Sequence, residues 1–126
     1  MAAKFRSGYA TMVDYTPSGA AVSAGQFVAL GSGKTYGIAH VDIADGQAGA
    51  ISIPNGSVIY EIDKAPATDV YAVGDLVEVD LSAHAAVPAS DAAGDLTLGR
   101  CVKASANGAT TVMVQLIPIA GADPTV

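Results

Sequence analysis

The residues with the clearest chemical potential in this 126-residue chain are a Ser-Gly-Lys-Thr run at residues 32–35 and two histidines, His40 and His84. The run resembles the end of a phosphate-binding loop, in which backbone N–H groups and a lysine hold the phosphates of a nucleotide. That loop needs a glycine five positions before Gly33, and Val28 stands there. The following segment favours a strand over the required helix, so we predict a hairpin turn with a solvated lysine.

Metal and acid–base chemistry also lack the residues they need. Neither histidine has a second ligand at the spacing of a zinc site, and Asp42 and Asp45 lack the alternating acids and terminal glutamate of a calcium loop. Asp75 belongs to a predicted turn, while Glu78 and Asp80 alternate with valines and predict a solvated strand face. There is no serine nucleophile elbow. We therefore expect no enzyme activity, no metal and no cofactor.

Charge and composition exclude two further partners. Twelve acidic and six basic residues give a net charge of −6, which repels a phosphate backbone, so nucleic acid is not expected. No run approaches the roughly 18 apolar residues of a membrane span, and the N-terminus has no apolar signal-peptide core. The single cysteine, Cys101, cannot close a disulfide within the chain and is expected to be a buried small hydrophobe.

The elements that position these residues are predicted to be strands. Apolar residues recur with period two in short runs that end at Gly, Pro, Asn or Asp. This pattern predicts an all-β single domain, a small jelly-roll-like β-sandwich or barrel of about eight or nine strands. Residues 83–93 contain Pro88 and are predicted to form a loop with at most one turn. The predicted strands cover residues 11–16, 26–30, 36–41, 50–53, 58–63, 76–80, 98–104 and 110–117, and the predicted core includes Val28, Ile38, Val58, Ile62, Val77, Val112 and Val114.

Two similar halves suggest an internal duplication. Residues 24–28 (Ala-Gly-Gln-Phe-Val) parallel residues 73–77 (Val-Gly-Asp-Leu-Val), and residues 36–39 (Tyr-Gly-Ile-Ala) parallel residues 98–101 (Leu-Gly-Arg-Cys). An Asp-Gly or Asn-Gly turn begins eight residues after the second glycine of each half. The second half carries a longer loop near residues 82–95.

These segments also stand in the order of a known family. Over residues 8–118 the chain resembles the phage capsid cement, or decoration, proteins, through the runs at 23–26, 36–39, 56–64, 72–75 and 98–101 and the Asn-Gly turn that leads into residues 112–116. The resemblance implies a structural protein of the virion that binds the outer surface of the assembled major-capsid-protein shell and stabilises it. Such proteins commonly act as homo-oligomers, with a trimer favoured here and a dimer as the alternative. The chain would be synthesised in the bacterial host cytoplasm.

The predicted boundaries place an N-terminal arm at residues 1–9, a β domain at 10–118 and a C-terminal tail at 119–126. Cations and aromatics bury useful area at protein contacts, so the arm is expected to contact the capsid or a neighbouring subunit. By contrast, residues 65–99 hold six acids and no lysine or arginine. The contact residues predicted in the arm are Lys4, Phe5, Arg6 and Tyr9.

A second function is a carbohydrate- or surface-binding module, because small β-sandwiches often serve that purpose. Such a site needs exposed aromatic rings as stacking platforms. With no tryptophan in the chain, the platform would have to come from Tyr15, Tyr36, Tyr60 and Tyr71 on a shared exposed face.

Overall fold

The computed structural model describes residues 3–30, 35–64, 68–81, 83–88 and 96–118, and within these ranges the chain forms ten strands and no helix. No described segment is therefore a helix long and apolar enough to cross a bilayer. The predicted tail and most of the predicted loop at 82–95 lie outside the described residues. The strands are β1 (Ala3–Ser7), β2 (Thr11–Tyr15), β3 (Phe27–Leu30), β4 (Thr35–Ala39), β5 (Gly49–Ile53), β6 (Ile59–Asp63), β7 (Leu76–Asp80), β8 (Ala85–Pro88), β9 (Leu96–Lys103) and β10 (Thr111–Leu116).

The strands form two antiparallel sheets, which confirms the all-β prediction. One sheet has six strands in the order β1-β6-β10-β9-β7-β8, and the other has four in the order β2-β5-β4-β3. The sheets pack as a sandwich and do not close into a barrel. Consecutive strands β2 to β5 stay in one sheet and β6 to β10 in the other, so the chain crosses between sheets at few points.

Two strands were not expected from the sequence. Ala3–Ser7 was assigned to an arm that precedes the first strand, but the structure makes it strand β1, paired with β6. Only Ala3 is buried in that strand, so it carries no apolar alternation. The loop prediction is also wrong for Ala85–Pro88, which forms β8. Ala85, Ala86 and Val87 are all buried, and Pro88 is tolerated because β8 is an edge strand.

The seven predicted core residues are all buried, with at most 7% exposure. Six lie in the main core between the sheets, whereas Val28 belongs to a second cluster with Ala39, Ile43 and Ile51. Side chains alternate between faces along a strand, so Val28 points away from its core neighbour Phe27. The second cluster therefore covers the outer face of the four-stranded sheet.

Tyr36 connects the two sheets. Its ring lies 6.1 Å from that of Phe27, and its buried hydroxyl donates a hydrogen bond of 3.0 Å to the carbonyl oxygen of Leu98 in the other sheet. Burial raises the pKa of Tyr36 well above 10, with a smaller contribution from nearby Tyr60, whose own pKa is also raised by burial. The neutral phenol is thus part of the folded core.

We expect the protein to lose stability as the pH rises above 10. Unfolding returns the Tyr36 phenol to its ordinary pKa of about 10, so above that pH the unfolded chain binds fewer protons than the folded one. The free energy of unfolding should fall by about 1.4 kcal/mol per pH unit for this group until its raised folded pKa is reached. Urea unfolding at a series of alkaline pH values measures the slope. Tyr36→Phe should flatten it and exposed Tyr9→Phe should not; equal slopes in both variants would contradict the assignment.

The turn before β3 is repeated before β7, as expected for the predicted internal duplication. Gly25 N donates to Ala39 O at 2.8 Å, and Gly74 N donates to Cys101 O at 2.8 Å. Both glycines have a positive φ, of 86° and 95°. The side-chain oxygen of Gln26 accepts from Ser23 N at 2.9 Å, and that of Asp75 accepts from Ala72 N at the same distance. The order β2-β5-β4-β3 likewise matches β6-β10-β9-β7.

The two halves differ by one residue of strand register. In the first half, Ile38 of β4 lies opposite Ser52 of β5. Arg100 of β9 is the equivalent of Ile38 in the second half. It lies opposite Gln115 of β10, which is one residue past the position equivalent to Ser52. A one-residue slip moves side chains to the opposite face of a sheet. Phe27 and Ile38 accordingly point into the main core, while their equivalents Leu76 and Arg100 point outwards and are exposed.

Candidate interaction surface

The cations predicted as contact residues lie on β1 beside an acid. Lys4 is opposite Glu61 of β6, and Arg6 Nε lies 3.5 Å from Glu61 Oε1 with the Arg6 side chain 43% exposed. Glu61 is held from the other side by the hydroxyl of Thr111, which donates to Oε2 at 2.8 Å. An exposed pair of this kind contributes about 0–1 kcal/mol. Both cations therefore stay accessible, but one acid shares their face.

Phe5 is partly a packing residue. Its ring meets the ring of Tyr60 edge to face, with centroids 5.9 Å apart and an interplanar angle of 84°. Tyr60 is only 2% exposed, while Phe5 is 40% exposed. The Phe5 ring thus covers a core aromatic on one side and presents its other side to solvent.

Tyr9 has a backbone held by hydrogen bonds and a highly exposed side chain. Its N–H donates to Ser57 Oγ at 3.3 Å, and its carbonyl accepts from Asn55 Nδ2 at 2.7 Å. Gly8, at φ 91°, makes the corner before it, and a side chain there would collide with the Ser57 carbonyl. The Tyr9 side chain is 84% exposed. A contact made by such a residue costs little backbone ordering.

Two predictions about other polar and aromatic residues need correction. Glu78 was expected on a solvated strand face, but it is 3% exposed. Its strand neighbours across the sheet, Val87 and Thr97, are buried as well, so the outer face of the sheet is covered at this end. Of the four tyrosines proposed as a stacking platform, three are buried and Tyr15 is partly buried. They form no shared exposed face.

His84 and the cysteine serve the structure, while His40 is exposed. His84, in a left-handed conformation at φ 51°, stacks on Phe27 and accepts a hydrogen bond of 3.1 Å from Phe27 N at Nδ1. Cys101 is buried, which raises the pKa of its thiol. Within the described part of the chain no three His, Cys, Asp or Glu side chains come together as a metal site. Ser32, Gly33 and Lys34 of the sequence run fall outside it, and Thr35 opens β4.

Four apolar residues are exposed although the sequence did not indicate it. Met12 and Val13 of β2 are 39% and 37% exposed although they point to opposite faces of the sheet. In the second half, Val70 and Val73 are 65% and 68% exposed. For Val70 and Val73, comparison of the two halves could have indicated that the core does not need a large side chain there, because the equivalent positions in the first half hold alanines.

A family model described as a phage cement protein matches residues 7–116. The match runs from the last residue of β1 to the last residue of β10 and therefore covers both halves of the duplication. Comparison with curated proteins and with solved structures found no match.

Proposed function

Because this chain belongs to the phage cement protein family, we propose that it binds the outer surface of an assembled major-capsid-protein shell and stabilises that shell. The observation that carries the proposal is the family match, which spans nine of the ten described strands in full. A role of this kind needs a stable fold and a contact surface and requires no chemistry.

The physical basis is preferential binding to one state. A ligand that binds the assembled shell but not its free subunits lowers the free energy of the assembled state by mass action. A homo-oligomer, a trimer or a dimer, that touches several subunits would multiply a modest contact through avidity. The protein would be made in the bacterial host cytoplasm and would end on the outside of the virion.

We assign the capsid or subunit contact to Lys4, Phe5, Arg6 and Tyr9. The support is their exposure at one edge of the sandwich, the fixed backbone of Tyr9 and the accessible charges of Lys4 and Arg6. Tyr9 is the one of these four that lies within the matched family span.

The test of this contact has to use point variants. Deletion of residues 1–7 would remove strand β1 together with the buried Ala3 and would uncover Tyr60, so it would disturb the fold itself. Tyr9→Ala keeps the backbone hydrogen bonds and should weaken binding to assembled shells about tenfold, the effect of losing one aromatic contact of about 1.4 kcal/mol. The double variant Lys4→Gln, Arg6→Gln should also weaken binding to assembled shells, and the loss of affinity should be larger at low salt than at high salt.

Pelleting of assembled shells with bound protein measures this affinity, and Val73→Ala, which changes another highly exposed side chain at the turn before β7, is the control. Unchanged binding of the Tyr9 and cation variants would remove these residues from the contact. Equal affinity for free capsid subunits and for assembled shells would contradict the cement role itself.

A further inference from the structure

The exposed edges of the two sheets are protected to different degrees. An open strand edge invites pairing with another chain, and proteins block it with cations, bulges, prolines or covering groups. Strand β1 carries Lys4 and Arg6 and an irregular register between Phe5 and Ser7. Its edge is therefore blocked in two of these ways.

The edge of β8 is also blocked, and the start of the β3 edge is covered. Ala86 of β8 forms a parallel bridge to Lys64, and Pro88 ends the strand. At the start of β3, the N–H of Phe27 is already bonded to the side chain of His84.

Strand β2 has none of these protections among the described residues. It pairs with β5 in unbroken register from Thr11 to Tyr15, contains no proline, lysine or arginine, and has Asp14 as its one charge. The equivalent strand in the other half, β6, is covered on the same side by β1. No described strand covers this side of β2, and Thr11 to Asp14 are all exposed.

We propose that the open edge of β2 pairs antiparallel with β2 of a second copy of this chain, around a two-fold axis. Among the described strands β2 has the one edge without these protections, and a two-fold contact uses the same edge of both copies. Addition of the edge to any other strand of a second copy would leave one β2 edge unpaired.

The residues of β2 favour one register for this pairing. With Met12 on the axis, Met12 faces Met12 of the second copy, and Thr11 faces Val13, a pair of β-branched side chains of the kind that stabilises sheets. The two Asp14 carboxylates are then four residues apart along the strands, about 13 Å, where salt screens their repulsion. An axis at Val13 would set Met12 against Asp14, and an axis at Asp14 would set like charges together. The same register, continued by two residues, puts exposed Tyr9 across from Tyr15.

The pairing joins the two four-stranded sheets into one of eight strands. The pairing specifies the homo-oligomer of the proposed function as a dimer and not a trimer. It rests on the β2 edge and not on capsid binding, so each stands or fails by its own measurement.

Cross-linking tests the register directly. Residues that face each other in an antiparallel pair have Cα atoms about 4.5–5.5 Å apart, within reach of a disulfide. Met12→Cys should give a covalent dimer on mild oxidation. Val70→Cys is more exposed but lies outside β2, next to the bridge between Tyr71 and Ser105, so it should stay monomeric on a denaturing gel; native Cys101 is buried. An equal yield of dimer from both variants, or none from Met12→Cys, would overturn the proposal.

Sedimentation of the full chain provides the second measurement. The wild type should sediment as a dimer, and Met12→Lys, which places two ammonium groups on the axis, should fall to half that mass while Val70→Lys should not. If Met12→Lys loses its β-sheet circular dichroism, the Met12→Cys cross-link decides. A monomeric wild type, or a dimer unaffected by Met12→Lys, would overturn the pairing. If the wild type is monomeric and Met12→Lys loses shell pelleting, the edge would be assigned to a capsid strand instead.

Discussion

Replacement of Gly99 by alanine should destabilise the fold by about 3 kcal/mol or more, because the added methyl group has no space to occupy. A Cβ at Gly99 would overlap the backbone carbonyl of Gln115 on the adjacent strand β10. Backbone atoms in the middle of a sheet cannot turn aside as a side chain can. The two strands would have to separate where Leu98, fully buried, anchors β9 in the core. Equilibrium urea unfolding of the variant measures the loss.

The internal duplication supplies the matched control, since Gly37 is the equivalent of Gly99 in the first half. A Cβ at Gly37 would meet the terminal Cδ1 of Ile51 at 2.6 Å, which a rotation of that side chain relieves. Gly37→Ala should therefore cost only about 1 kcal/mol. Neither glycine has a positive φ, so the comparison isolates the steric contact. Equal losses in the two variants would contradict this explanation.

Replacement of Lys64 by methionine should cost about 2–3 kcal/mol. Lys64 is 8% exposed, and its Nζ donates to the carbonyl oxygens of Asp69 at 2.6 Å and Ala106 at 2.9 Å. The ammonium also lies 5.8 Å from the centre of the Tyr71 ring, within cation–π range. Methionine keeps the length of the side chain but donates no hydrogen bond. Both loop carbonyls would then lose a charged donor.

Thermal and urea unfolding of Lys64→Met measure this effect against Lys103→Met, which removes an exposed lysine at the end of β9. The control should change the free energy of unfolding by no more than about 0.5 kcal/mol. A loss of the same size in both variants would show that net charge, and not the buried hydrogen bonds, is responsible. An unchanged Lys64→Met protein would remove Lys64 from the account of the fold.

The duplicated halves have different surfaces because their strand registers differ. A one-residue change of register between β4·β5 and β9·β10 places Phe27 and Ile38 in the core but leaves their equivalents, Leu76 and Arg100, exposed. Phe27 is buried by this arrangement, whereas Leu76 remains 37% exposed. Similar sequences therefore build two sheets that pack on each other without being interchangeable.

The sequence by itself determined the all-β class, eight strands to within two residues, the core and the duplicated turns. These features depend on neighbouring residues: alternation decides which side chains leave water together, and glycines at a positive φ, such as Gly25, Gly74 and Gly108, form several of the turns. The family resemblance likewise rested on the order of such local segments, and the matched model confirms it.

Only the tertiary structure decided which strands pair and what covers them. Ala3–Ser7 and Ala85–Pro88 lack alternation because one has nearly all its side chains exposed and the other nearly all buried, so their strand character comes from the partners β6 and β7. Glu78 has the pattern of a solvated residue but is buried. The open edge of β2 follows from the place of that strand in the sheet order. Strand pairing, register and the burial of sheet faces depend on contacts between residues far apart in sequence. The local pattern of apolar and polar residues does not encode these contacts.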